Sequence, residues 1–492
     1  MFLSNPTIAN TADFRLENAH LHVNKMADLG TGTTTLAGPL RSAGNIDTAA
    51  ELEFGGATAS STKALVLDSF GGGIWVSAGG TNLTLSGVIS ESGGTGRALS
   101  VYGSSSTSVL SLTASNTYTG PTAINFGSVV SIPSFANGGV ASPLGMSSSA
   151  PANLLLGGGF FGGDGTLRYT GSSASTDRGA TLSSAGNNCT IDVSTAATVL
   201  TMSGQFTGPG ALTKAGIGTL VMSGPTSNYA NSTNVNAGTL TLASAGAITS
   251  SAITVSAAAT MNINGSIPAS TVLTDNGTTN FAGNPSLVGA FTRPLSSLSI
   301  GNAAQAAVLQ SASTLFPEIL NVPTLSFTGT GKLDLANNEL TTTATPAAIR
   351  GNLAGGAIFT SRIGVGTTLG YADIGSGVTE VRYALRGDAT LNGTVDVGDL
   401  GALATNYGLA AGAIWSLGDF NYDGAVDVGD LGALATNYGT SLGASSSAGS
   451  NGTSLAAPAT TAASVPEPKS LGMVAITVAV GAMPRRRNRR CR

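Results

Sequence analysis

The sequence predicts a mainly β chain. A parallel β-helix is followed by a small β-rich module, a small all-α unit and a C-terminal hydrophobic segment. Three observations predict this. Charged residues are 9% of the 492-residue chain, against about a quarter in an ordinary globular domain. Sixty-nine glycines stand among many Ser, Thr and Asn, a composition that disfavours helix and suits short strands broken by turns. Short apolar triplets such as "LTL" and "ITV" recur, and the 14-residue string "VDVGDLGALATNYG" occurs twice. Hydrophobic content of 41% separates the chain from disordered sequences of similar bias.

Residues 1–285 carry one theme. "TNLTLSGVISESGG" from Thr81 and "TVLTMSGQFTGPG" from Thr198 alternate apolar and polar residues and end in Gly or Ser. "LSLTASNTYTGPTAINFGSVVSI" from Leu110 and "TLVMSGPTSNYANSTNVNAGTLTLASAGAI" from Thr219 share a longer unit: strand, Ser/Asn turn, Tyr118 or Tyr229, strand. Period-two alternation between turn residues is the strand signal. Imperfect repeats of such units predict a β-solenoid, whose coils bury their apolar faces only against neighbours. A β-sandwich with degenerate strands is the alternative. "LTKAGIGTLVMSG" (Leu212–Gly224), "NVNAGTLTL" (Asn234–Leu242) and, more weakly, "LTLSGVIS" (Leu83–Ser90) resemble the autotransporter-associated β-strand repeat of bacterial surface proteins. The resemblance implies a right-handed parallel β-helix with an extracellular, passenger-like role.

Residues 286–385 are less regular and read as a β-rich connecting or capping module. "TLSFTGTGKLDLANNEL" gives strands and an Asn-Asn turn, "PAAIRGNLAGG" a short helix, and "TLGYADIGSGVTEVRYAL" a hairpin. Residues 441–464 are low in complexity and read as a flexible linker.

Acidic residues concentrate in residues 386–440. Counting from Asp419 as position 1, Asn421 is 3, Asp423 is 5, Gly424 is 6, Ala425 is 7, Asp427 is 9 and Asp430 is 12. This is the spacing of an EF-hand loop, with oxygen ligands at alternate positions, Gly for the sharp turn and a backbone carbonyl from position 7. An all-oxygen set without His or Cys selects Ca²⁺. Thirty-one residues upstream, Asp388, Thr390, Asn392, Gly393, Thr394, Asp396 and Asp399 repeat the spacing. Two Ca²⁺ ions are expected. The second site should be the stronger, because it offers four carboxylates against three. After each loop, Leu400, Leu403 and Tyr407, or Leu431, Leu434 and Tyr438, form the apolar stripe of a short helix. Two such helices should pack antiparallel, with the ions holding the loops shut.

The duplicated loop-helix unit, with Val395 and Val426 at position 8 of its loops, resembles a dockerin type I domain. Residues 286–385 also resemble the stretch that precedes dockerin-like repeats in large bacterial surface proteins. The resemblance implies a cohesin-like partner. Positions 10 and 11, which help dockerins select cohesins, are Val397–Gly398 and Val428–Gly429 here. They have little hydrogen-bonding capacity, so another surface module, or this chain itself, is the alternative partner.

Residues 465–492 combine Pro466-Glu467-Pro468, thirteen uncharged residues from Leu471 to Met483, and six arginines. They resemble the PEP-CTERM sorting signal. That implies export to the envelope or beyond, transient membrane anchoring through residues 471–483, and processing by an exosortase-type enzyme. The N-terminus lacks the basic and apolar regions of a signal peptide, so with this tail the start is expected to be incomplete.

Without the arginine tail the chain is acidic, which argues against nucleic-acid binding. Cys189 and Cys491 supply no disulfide framework. "GTSLAAP" at residues 452–458 mimics the nucleophile motif of subtilisin-like proteases, but His20 and His22, in "HLH", precede any suitable Asp. Those histidines lie on one strand face and make a weak two-ligand metal pair at best. "RGD" at Arg386–Asp388 resembles an integrin-binding tripeptide, with Asp388 better used as a ligand. Acids and bases in residues 81–285 are scattered singly, with no catalytic constellation. The expectation is therefore a non-enzymatic surface or matrix protein, an adhesive or structural scaffold with a Ca²⁺-dependent docking module. The alternative is a carbohydrate-active β-helix lyase or hydrolase, for which polysaccharide would be the substrate.

Overall fold

A computed structural model of the chain describes residues 2–3, 11–39, 50–157, 163–183, 188–283, 285, 289–313 and 316–442. It is a parallel β-solenoid of about 13 turns with three short helices towards its C-terminal end. The alternating tetrapeptides build the rungs. Thr219–Met222, Thr239–Leu242, Thr260–Ile263 and Thr278–Phe281 stack in register, Thr on Thr. In each, the second and fourth side chains are buried and the others face outward. Leu220, Leu240 and Met261 make one inward column, and Met222, Leu242, Ile263 and Phe281 a second. Each buried side chain of this size contributes about 1.5–3 kcal/mol. A twelve-stranded sheet runs from Ala59–Ser61 to Thr324–Phe327 along one face, and two nine-stranded sheets form the longest parts of the others. Among the described residues every strand pairing up to Ile358–Phe359 is parallel.

The tyrosines that mark the sequence repeat make the same local contact, although their flanking strands belong to different sheets. Tyr118 and Tyr229 are fully buried, and their hydroxyls meet the Thr122 and Thr233 hydroxyls at 2.6 and 2.5 Å. Lys214 in the strand Ala211–Ala215 is also buried. Its ammonium donates to the carbonyls of Ala215, Gly216 and Ala237 at 2.7, 2.8 and 3.1 Å, tying one corner to the next turn. Burial pushes it down to about 8, against the opposing pull of Asp192. Lys214→Met leaves these carbonyls without their donor and should cost about 1–3 kcal/mol in urea unfolding. An unchanged unfolding curve would make this clamp dispensable.

The solenoid does not stop where the sequence suggests. The expected boundary at residue 286 is crossed by the ladder, which pairs Val272–Asp275 with Ser297–Ile300 and Thr278–Phe281 with Gln305–Val308. The step between stacked rungs lengthens there, from 20 residues between Thr219 and Thr239 to 27 between Thr278 and Gln305. Longer corners hide the period, although the rungs keep their alternation.

Helix α1 (Pro346–Ala354) starts at the N-cap Thr345, whose hydroxyl accepts from the Ala348 amide. The expected hairpin forms from Thr367–Asp373 and Thr379–Leu385. Its second strand lies antiparallel on the rung Glu339–Thr342, and its first, Thr367–Asp373, forms the edge of that sheet. Helices α2 (Val397–Asn406) and α3 (Val428–Asn437) follow the two acidic loops and touch each other. Most of the linker and the whole sorting segment, residues 443–492, lie outside the described residues, as does "GTSLAAP". Ser441 and Leu442 extend the α-helical unit: Thr394 bridges Ser441, and the Leu442 amide donates to the Gly393 carbonyl. No helix among the described residues is long and apolar enough to cross a membrane.

Candidate functional site

The two acidic loops fold alike. Asp388 and Asp419, at position 1, accept from the amides of Gly393 and Gly424 at 2.8 and 3.0 Å. Both glycines are left-handed, φ +86° and +84°, as the sharp turn requires. Asp396 and Asp427, at position 9, are the N-caps of α2 and α3 and accept from Gly398 and Gly429. Asp399 and Asp430, at position 12, reach back to the Asp396 and Asp427 amides at 2.9 and 3.0 Å, completing a capping box in each helix. Asn392 accepts from the Thr394 amide, and Asp423 from the Ala425 amide. Asn421 donates to Asp423, while Thr390 donates to Asp399. Each expected oxygen ligand therefore lies in a compact loop joined to its helix.

The acids at positions 1 and 12 are fully buried in both loops. Burial first, then repulsion from Asp399, pushes Asp388 up to about 6 against the pull of backbone amides. Asp419 is likewise pushed up to about 6, by burial and then by Asp430 and Asp423. Burial also raises Asp430. The loops also differ at the first aspartate. Asp388 Oδ1 accepts from the Asn392 amide at 3.0 Å, whereas Asp419 Oδ1 is buried without a hydrogen-bond partner. An orphaned anionic oxygen, beside carboxylates that repel it and with no cationic side chain bonded to it, suits a divalent cation. Among the described residues, no group of three or more His, Cys, Asp or Glu side chains is arranged to hold a metal alone. A cation here would also need the Asn, Thr and backbone oxygens.

The helical stripes are buried only in part. Leu403 and Leu434 are in the core and Leu400 is half-buried, but Tyr407 and Tyr438 are about half exposed. The helices end at Asn406 and Asn437, and both tyrosines take extended backbone as C-caps. Val397 and Val428 are 71% exposed. The unit thus displays each of these apolar residues twice.

The histidines have partners that sequence spacing does not show. His20 pairs in register with Glu51, and His22 with Glu53, on neighbouring rungs. His20 Nε2 lies 2.5 Å from Glu53 and Nδ1 3.1 Å from Glu51, while His22 Nδ1 lies 3.1 Å from Glu53. "HLHV" and "ELEF" share the same alternation, which was the available clue. Burial alone would lower His20, but hydrogen bonds to Glu51 and Glu53 outweigh it and hold the imidazole above its ordinary value. Burial would likewise raise Glu53, but bonds from Ser77, His20 and His22 leave it lowered. The His20 contribution is fully present below about pH 6.5 and lost as pH rises through the folded value. The Glu53 contribution is present above about pH 4.5 and lost as pH falls. The N-terminal turns should therefore resist urea better at pH 5.5 than at pH 8.5, and His20→Gln should remove that difference. An equal difference in the variant would place its origin elsewhere.

A groove of about 910 Å³ lies by these turns and is lined by Lys25, Thr31, Thr58, Ser60 and Lys63 among others. No carboxylate or aromatic ring lines it. A half-buried acid pair does occur elsewhere. Burial, then the Glu380 charge, pushes Glu339 up to about 7 where the hairpin meets the last rung, with Arg382 acting against them.

Two stretches, residues 105–130 and 212–242, match the family model of the passenger-associated-transport-repeat. These stretches contain the buried Tyr118 and Tyr229, and Lys214, which ties one turn to the next. The repeat residues Leu212–Gly224 and Asn234–Leu242 lie inside the second match. A 142-residue stretch is 46% identical to the adhesin BmaC autotransporter of Brucella suis biovar 1 (strain 1330). It covers 29% of this chain and 4% of that protein, so the chain corresponds to a small part of its relative. No solved structure matches the chain.

Proposed function

We propose that the chain is a non-enzymatic adhesive or structural scaffold, exported to the bacterial surface, whose solenoid carries a calcium-dependent docking module at its C-terminal end. The observation that carries this reading is the solenoid itself, together with its likeness to an adhesin autotransporter. A parallel stack presents a long surface without needing a catalytic cleft. The groove beside Lys25 and Lys63, which lacks carboxylates, offers no acid pair for glycoside chemistry.

In this reading Asp388, Thr390, Asn392, Asp396, Asp399 and the Thr394 carbonyl hold one Ca²⁺. Asp419, Asn421, Asp423, Asp427, Asp430 and the Ala425 carbonyl hold a second, more tightly. The orphaned Asp419 Oδ1 supports that order. The ion supplies positive charge that the buried acids lack. The exposed Val397, Val428, Tyr407 and Tyr438 offer the docking surface, for a cohesin-like module or another surface module. The tail, read as an exosortase-type sorting signal, would direct export.

Beads coated with the purified chain should bind host-cell or matrix-coated layers several-fold above albumin-coated beads. Binding at the albumin level on both surfaces would remove the adhesive reading. Calorimetry with CaCl₂ should show two ions per chain.

A further inference from the structure

We propose that calcium loading of the paired loops locks the last strands of the solenoid, so that one ion-dependent unit serves both as docking module and as end-cap. This rests on the calcium reading above. A solenoid needs a cap, because its final rung has no neighbour to cover it. Here the rung Glu339–Thr342 is covered by the hairpin, Thr342 pairing with Thr379 and Glu339 with Arg382. The hairpin in turn leaves Thr367–Asp373 as the outermost strand.

Both loops press on that strand. The Tyr422 hydroxyl donates to the Leu369 carbonyl at 2.5 Å and meets the Thr368 hydroxyl at 2.8 Å. Leu391 and Trp415 fill the space over Gly370, where a Cβ would lie 2.4 Å from Leu391 Cδ2 and 2.9 Å from the indole. Trp415 stacks on Tyr422 at 5.9 Å and donates its Nε1–H to the Asp388 carbonyl at 2.7 Å, joining the two loops. Two further ties come from outside the strand. Arg350 of α1 donates to the Ala413 carbonyl at 2.5 Å, and Asn437 donates to the Arg386 carbonyl at 2.8 Å.

The coupling lies in the position of the two anchors. Leu391 and Tyr422 are both fourth in their loops, each between two expected ligands: Thr390 and Asn392, or Asn421 and Asp423. Both are left-handed, φ +55° and +67°, which is strained for residues other than Gly. Their neighbours are exposed while they turn towards the hairpin. Wrapping an ion with positions 3 and 5 fixes the backbone that aims position 4. The conformation that binds the ion and the one that clamps the strand are the same, so each stabilises the other.

Hydrogen exchange of the full chain tests this, with calorimetry on the same samples. In 1 mM CaCl₂, amides of residues 367–385 should exchange about tenfold or more slowly than in EGTA. Rungs at residues 219–242 should not change. Tyr422→Ala should still bind calcium but lose most of the gain at 367–385. Gly370→Ala, which pushes Leu391 and Trp415 off the strand without touching any ligand, should do the same. Calcium binding with no added protection at 367–385 would overturn the lock and leave the calcium reading standing. No binding heat in the wild-type chain would overturn both.

Discussion

Asp419→Asn should stabilise the calcium-free chain and weaken its calcium binding at the same time. The Asp419 carboxylate is buried, one oxygen has no hydrogen-bond partner, and Asp430 and Asp423 repel it. A carboxylate pushed up to about 6 favours the fold only when protonated. Its cost to the ion-free fold is absent below about pH 3.8, grows as pH rises from there and is complete above about 6. The neutral amide removes that charge, keeps an oxygen for the Gly424 amide and brings a donor. At pH 7.5 in EGTA the variant should gain about 1–3 kcal/mol of local stability. With calcium the order should reverse, because loss of one ligand charge weakens the second site by on the order of 100-fold. Melting curves with and without calcium, beside calorimetry, read both effects. A variant destabilised in both buffers would show that Asp419 is a structural hydrogen-bonding residue rather than an ion ligand.

Trp415→Ala should be the most damaging single truncation in the C-terminal unit, at about 3–5 kcal/mol. The indole is fully buried and packs edge-on against Phe420 at 5.1 Å. Its loss opens a cavity between both loops and the outer hairpin strand, and leaves the Asp388 carbonyl without its donor. Trp415→Phe should cost less, mainly the hydrogen bond, at about 1 kcal/mol. Exchange at residues 367–442 measures the opening free energy, while the solenoid interior should be spared because each rung contacts only its neighbours. An equal effect at residues 219–242 would mean that the whole chain unfolds as one unit.

The inward columns Leu220–Leu240–Met261 were legible because strand alternation is a local property, written in four residues at a time. So were the loop-helix units, where duplication states the register. The rungs beyond residue 286 were harder, because the step there, 27 residues from Ser297 to Thr324, breaks with the 20 residues from Thr219 to Thr239, while the strands keep their pattern. Tyr407 and Tyr438 fit a helical stripe by spacing, but the helices end one residue too soon to bury them. Contacts between distant segments left the weakest trace. Nothing near Trp415 signals that it joins two loops to a hairpin, and nothing near His20 names Glu51 and Glu53 as its partners. Those relations follow from how many residues each turn contains, which the sequence shows only where the turns are regular.

The stacking direction has a mechanical consequence. The hydrogen bonds between rungs run along the axis of the solenoid, so tension along that axis opens them one rung at a time, as in a zipper. A chain pulled through the segment after Leu442 would take its load first at the loops, where residues 439–442 bond to Gly393 and Val395. The resistance of the stack to such a pull is then set at its last strands rather than by its number of rungs, and the unfolding rate of that end governs how long it holds.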